Sequence, residues 1–510
     1  MKKAIDCTAC VIMHIVHHLG VLVLGIMALA SAVLTVYLPG MGADILLWRL
    51  DAWPIYVVII IFVLVGVYCV STWISGKRRG EQWLLVIVLG YITLVCGVLL
   101  VFGNTAPSGD SYSVYDLGYG FSQNSYYTAF AWSDSYLNYY PQQLGLAVYY
   151  EGVFRLCQKV SFPFAVYHVI KLFNIGFVLV TVICQWSFVK EFSKGRKASI
   201  YYLLMIPFCF PLFFYASFTY GEIPSLAFIS LGCWAIQRLI EKKKVKYVFV
   251  TALAVSLSVL LRKNSLIFVI AAVIVLAVAF LQDKAWIYFV TAIVIVCAAL
   301  GAPSALQNRY EQKAGADLSS GVSPWSYFAM GMQDSEYGAG FYNGYNFEIY
   351  ARCKGDSEQI KAESQTVLKE RMAYFLENPK ELGDFYARKF LGQWMDGEYG
   401  CRKNTAVDYG NRHSFFDEVY EGKLSNVFIE FCSLYQFFIY SGVFFSLLCL
   451  SFEGEFLKVK TSYYIGVLTI LGGVAFHLLW EAGTRYGFVY FILMIPYAAL
   501  GFSKIRNGIE

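Results

Sequence analysis

The chain has 510 residues, of which 58% are hydrophobic and 18% aromatic, and its net charge is +5. A mean hydropathy of +0.55 lies well above that of soluble globular domains and excludes that class. With only 15% charged residues, the chain is no basic nucleic-acid binder either.

A hydrocarbon core of roughly 30 Å takes about 20 apolar residues per helix, and the chain offers about twelve such runs. They lie near 15–37, 54–75, 83–103, 163–189, 198–217, 222–240, 247–261, 265–281, 286–303, 428–450, 462–480 and 487–502. Their length and lack of two-residue alternation exclude barrel strands. The expected fold is an all-α polytopic membrane protein with a transmembrane module over 1–304, an extracytoplasmic segment over 305–427 and a second transmembrane module over 428–510. Lys and Arg gather at 1–3, 77–79, 194–197 and 238–246, and again at Lys284, Lys458, Lys460, Lys504 and Arg506. The opposite short loops hold only Arg49, Arg155, Lys159, Arg262, Lys263 and Arg485. Positive residues stay cytoplasmic, so both termini are expected inside a plasma membrane. The loops 104–162, 219–225, 262–265, 305–427 and 481–486 then converge outside.

Cys7 and Cys10 form a lone CxxC without a second pair or a nearby His, a weak metal or redox signal. The first apolar run is longer than a signal-peptide core and reads as a retained helix. Next, "NTAPSGDSYSVYD" places Asp110 and Asp116 just beyond the third run. Each is an ordinary loop acid or, beside a phosphate site at the membrane surface, a general base. The stretch 136–156 has the spacing of an interfacial helix; Tyr136, Tyr139 and Tyr140 suit a headgroup-level belt, whereas Gln142 and Gln143 suit ligand contact. Lys171 sits within the fourth run, facing a cavity or snorkelling outward. Glu222 opens a helix, where an acid complements the dipole.

An unbroken helix over 247–281 would far exceed the membrane, so it must turn at "RKN". Arg262 and Lys263 there either snorkel to headgroups or clamp a phosphate. Within 305–427, the stretch 356–379 reads as an amphipathic helix ended by Pro379. Trp325 and Trp394 could stack on a sugar or sit in a local core, and Cys353 and Cys401 could pair. Finally, Glu481 and Arg485 stand four apart, either as an ion pair or as a phosphate ligand with its holder, with Tyr486 beside them.

Taken in order, Asp110, "YLNYYPQQLGL", "YGEIPS", "LRKNSLI", "PWSYFAMGM", "GFYNG", "KFLGQWMDGEYG" and "EAGTRYGFVYFILMIP" resemble the GT-C superfamily of membrane glycosyltransferases. The likeness is to the protein mannosyltransferase and lipid A aminoarabinose transferase relatives, in a Gram-positive-type branch. It departs from the mannosyltransferases in lacking their Asp-Glu doublet, because Asp110 is followed by Ser111. The resemblance implies a GT-C-like fold and inverting transfer of a sugar from a polyprenyl-phosphate donor to an extracytoplasmic glycan, lipid or protein. Asp110 or Asp116 would be the base. Arg262, Lys263, Arg485, Glu222, Glu481, Gln142, Gln143, Tyr486 and Trp394 would bind substrate. Some relatives use a divalent cation, and Asp110 and Glu222 would suit Mg or Mn, although no motif demands one. Two other readings compete: an outer-face polysaccharide polymerase or ligase, and a transporter or flippase. The latter is disfavoured by the absence of an internal repeat.

Overall fold

The computed structural model describes residues 2–37, 45–48, 53–131, 135–192, 196–452 and 455–504. Arg49, Lys194 and Arg506, and the side chains of Lys2, Lys3 and Cys7, lie outside the described residues. The protein is all-α apart from two short hairpins, and ten of its described helices are long and apolar enough to cross a membrane. By that measure it is a multi-pass membrane protein.

Three of the expected spans depart from the simple picture. The run near 198–217 is a helix pair, Lys197–Phe208 and Phe210–Ala216, bent by 61°. Pro207 and Pro211 flank the bend at Cys209, and each removes an N–H that a straight helix would use. The run near 247–261 forms Lys246–Leu261, only 16 residues. Its flanking cations Lys246 and Arg262 suit a helix shorter than the hydrocarbon is thick. The first helix, Lys2–Val33, also stops short of its apolar run, because Leu34–Tyr37 pairs antiparallel with Ile45–Trp48. Thr35 Oγ1 to Ser433 Oγ (2.7 Å) and Val36 N to Met395 O (3.2 Å) fasten this hairpin to the bundle.

The last helix, Thr484–Lys504, is almost wholly buried and crosses Leu424–Phe452 at the centre. The crossing needs glycine, since a Cβ on Gly501 would lie 2.0 Å from the Gly442 carbonyl oxygen. At the periphery, Trp53–Ser75 exposes Ile55, Ile61, Phe62 and Val65, as a lipid-facing helix should.

Ion pairs mark one end of the bundle: Arg238 with Glu191 (2.8 Å), Lys460 with Glu191 and Glu241 (3.3 Å each), Lys243 with Asp283 (3.0 Å). The long segment lies at the other end and is continuous with the helices. Trp286–Ala314 runs straight through the expected boundary at 304, and Leu424–Phe452 through that at 427. Within it, Asp356 caps Ser357–Glu377 by accepting from the amides of Glu358 and Gln359, and Pro379 starts the following helix, Pro379–Trp394. The segment then folds back on the first loop, with Ala106 N donating to Val407 O (2.7 Å) and His413 N to Phe102 O (2.9 Å). Cys353 and Cys401 are both free, buried in separate clusters, so the structure holds no bridge between them.

Candidate active site

At the end carrying the long segment, a cavity of about 700 Å³ opens among the loops. It brings together Asp110, Gln142, Gln143, Arg262, Lys263, Glu481, Arg485 and Tyr486, residues drawn from across the sequence. The break at 262 is the one that the length of 247–281 requires. Lys246–Leu261 ends, Arg262 is extended, a 3₁₀ turn covers Lys263–Ser265, and Leu266–Asp283 descends.

Asp110 stands in the first turn of Gly109–Ser122, where Ser108 and Ser111 form a capping box. A negative charge there meets the positive end of the helix dipole. Its side chain is 48% exposed, and its Oδ2 lies 3.8 Å from Arg485 Nη2. Asp116 does not join it. Six residues later on the same helix it projects from another face, exposed and outside the cavity lining.

Glu222 lies beneath the cavity, 1% exposed. As the first residue of Glu222–Lys242 it does face the dipole, but its main partners are guanidinium groups: Arg262 Nη1 at 2.6 Å and Arg485 Nε at 3.5 Å. The expected pair of Glu481 with Arg485 is replaced by these. Arg485 bonds instead to Glu222, Asp110 and Asn404 Oδ1 (3.4 Å), and Glu481 accepts from the Tyr486 hydroxyl (3.1 Å). Distance in sequence hides this exchange, because helical spacing reports only neighbours on one helix. Arg485 also lies over the rings of Tyr220 and Tyr486, at 5.2 and 5.5 Å. Lys263 reaches the cavity with no ion-pair partner among the described residues.

These contacts argue against Asp110 and Glu222 as a metal pair. Arg485 stands between them within 3.8 Å of each, so a divalent cation there would face a guanidinium. Among the described residues no group of three or more His, Cys, Asp and Glu is placed to hold a metal ion.

Trp394 is 1% exposed, packed against Tyr490, and away from the cavity, so it cannot stack on a ligand there. The tyrosines expected at the headgroup belt turn inward. Tyr136 and Tyr140 line the cavity with Tyr220, Tyr327 and Tyr342, while Tyr139 packs on Tyr350 (4.3 Å between ring centres). Gln143 Nε2 donates to the Tyr220 hydroxyl at 2.5 Å. Lys171, read as facing a cavity or snorkelling, is buried and donates to the Thr105 carbonyl.

Of two residues that sequence reasoning passed over, His477 completes the wall and Lys389 lies behind it. His477 Nδ1 donates to the Glu481 carbonyl (3.0 Å), and its ring stacks on Tyr486. Lys389, from the long segment, donates to the carbonyls of Gly331 and Trp480. Burial pushes the Glu481 carboxyl up to about 7 and the Lys389 ammonium down to about 7. A local signal for Lys389 existed: Phe385, Lys389 and Gln393 fall at four-residue steps along one buried face.

The fold and cavity define a multi-pass helical membrane protein with a polar, charge-lined chamber at one end of its bundle. No protein-family model matches the chain, and none of the curated proteins compared with it matches.

Proposed function

We propose that this protein is an integral-membrane glycosyltransferase that moves a sugar from a polyprenyl-phosphate donor to an acceptor on the extracytoplasmic side, with inversion. A cell-wall polysaccharide, teichoic acid or lipid is the acceptor class. One observation carries the reading: Asp110 opens into the same chamber as Arg262, Lys263 and Arg485, at the end of the bundle where Leu266–Asp283 begins.

The chemistry follows from that arrangement. Asp110 takes the proton of an acceptor hydroxyl as its oxygen attacks the anomeric carbon. The bond from that carbon to the phosphate oxygen breaks, and its electron pair leaves on the phosphate, which gains a charge. Preset cations stabilise that charge as it develops. Arg262 and Arg485, tied to Glu222, stand where that charge develops, whereas Lys263, with no ion-pair partner among the described residues, is the cation most available to the donor phosphate as it binds. A single displacement inverts the configuration. The uneven distribution of Lys and Arg among the loops supports an extracytoplasmic chamber.

The experiment is transfer of labelled sugar by purified protein from a panel of polyprenyl-phosphate sugars, comparing wild type with Asp110→Asn. Transfer by the wild type and its loss in a folded mutant support the reading. Equal activity in both removes Asp110 as the base. Transfer that needs the arginines but not Asp110 favours a polymerase or ligase, and no transfer from any donor overturns the reading.

A further inference from the structure

The turn Trp480–Gly483, which carries Glu481 and leads into Arg485, is gripped by the long segment. Ala482 N donates to Gly340 O (2.8 Å), and Ala482 bridges Phe341. Gly331 lies against the Trp480 main chain so closely that a Cβ would sit 2.6 Å from its oxygen. The Tyr327 ring stacks on Trp480 at 5.0 Å. Every one of these groups belongs to the long segment. At the centre is Lys389, 1% exposed, whose ammonium donates to the carbonyls of both Gly331 and Trp480 and pairs with no carboxylate among the described residues.

A dry ammonium is costly, and two main-chain oxygens compensate it only in part. Methionine would fill the same space without that cost. A lysine here therefore points to a need for charge or for its hydrogen bonds. We propose that Lys389 is a positioning residue of the chamber: through it the long segment holds the Trp480–Gly483 turn in place and sets a cation on the carbonyl of the residue before Glu481. This rests on the phosphate-binding reading of the chamber in its second half, and on geometry alone in its first.

Glu481 faces Arg485 and Tyr486 from the last helix, Asp110 from the first loop's helix, and Tyr140 from the same loop. It also shares the chamber wall with Tyr327 and Tyr342 from the long segment and His477 from Tyr464–Leu479, and Lys389 reaches the carbonyl of the residue before it. Of these, the Tyr486 hydroxyl, then Arg485 and last Lys389 favour its ionised form, and Asp110 opposes it. Removing the lysine charge keeps Glu481 neutral to higher pH.

The test uses the full chain in lipid nanodiscs, as wild type, Lys389→Met, Glu481→Gln and the exposed control Lys380→Met. Hydrogen exchange at residues 480–486 reads the grip. We expect Lys389→Met to speed it about ten-fold while the central helices and the Lys380→Met protein stay unchanged. Binding of a prenyl methyl phosphodiester, whose single charge does not titrate, reads the second half between about pH 6 and 8.5. Wild-type affinity falls through about pH 7. In Lys389→Met that fall moves alkaline, and in Glu481→Gln only the part due to the loss of charge on Lys389 near pH 7 remains. Unchanged exchange in Lys389→Met overturns the grip, and an unmoved fall overturns the second half. If the wild type binds no phosphodiester, the phosphate-site reading falls with the second half, and exchange alone decides the first.

Discussion

Two clusters of arginine and carboxylate, both at the loop-rich end, behave in opposite ways. In the first, Arg402 grips both oxygens of Glu398 and spends its remaining donors on Val419 O (3.3 Å), Tyr420 O (2.7 Å) and Ser425 Oγ (2.8 Å). Asp396 beside it accepts from the amides of Glu398 and Gly400. That cluster is closed, its donors engaged by protein. In the second, Arg485 touches Asp110 and Glu222 at 3.8 and 3.5 Å, and among the described residues Glu222 Oε2 is buried with no hydrogen-bond partner and Lys263 has no ion-pair partner. A saturated guanidinium holds a fold together; under the proposed function, the one that borders the chamber also meets the donor phosphate.

Breaking each cluster sharpens the contrast, and Asp110→Asn has the largest expected effect. Sugar transfer from the polyprenyl-phosphate donor falls about 10²–10⁴-fold, the usual contribution of a general base. The thermal midpoint of the purified protein holds, because the side chain is 48% exposed and neither buries nor caps the cluster.

Arg402→Met does the reverse. It leaves Glu398 buried without its guanidinium, a loss of about 3–5 kcal/mol in unfolding free energy, read as a lower thermal midpoint or faster proteolysis. Burial already pushes the Glu398 carboxyl up to about 7 against the pull of Arg402, so the lone acid stays protonated near neutral pH. Replacing both partners, with Glu398→Leu added to Arg402→Met, recovers most of the loss. No recovery means the pair does more than close a gap.

Much of this was legible from the chain alone, and for physical reasons. Apolar length fixes where spans must lie, and an overlong run has to turn where its only charges are, at Arg262 and Lys263. The short helix before that turn and the bent pair at Cys209 escaped, because length counting does not see depth or direction. In the chamber, local spacing proposed Glu481 as the partner of Arg485, whereas the true partners lie hundreds of residues away at Asp110 and Glu222. The inward tyrosines were hidden for a related reason. A ring with one wet end suits both a headgroup belt and a chamber wall at the same height, and only the tertiary fold decides between them.

A second way to probe the open cluster is its response to pH. The folded-state pKa of Glu481 is raised to about 7, above its unfolded value, so the folded state holds the extra proton. The contribution of Glu481 to stability therefore declines as pH rises from about 4.5 to about 7, by of order 1–3 kcal/mol, and is lost beyond. Thermal unfolding of Glu481→Gln across that range should lose this part of the slope. A slope equal to the wild type's assigns it to other groups, Glu398 first, whose carboxyl is raised in the same direction.

The smallest expected effect separates the cations within the open cluster. Arg262 is bound to Glu222 at 2.6 Å, so removing it strands a buried acid and mixes damage to the fold with damage to the site. Lys263 is exposed and engages no carboxylate among the described residues, so Lys263→Ala changes little but the field that the ligand meets. An exposed charge acting on a phosphate a few ångströms away is worth roughly 0.5–1 kcal/mol, which is about two- to five-fold in affinity. The expected result is a rise of that size in the donor KM with little change in kcat. The gap between mutant and wild type should narrow as ionic strength rises from about 0.05 M to about 0.5 M, because salt screens an exposed charge. A fall in kcat at unchanged KM would instead place Lys263 on the departing phosphate, where charge appears only as the bond breaks.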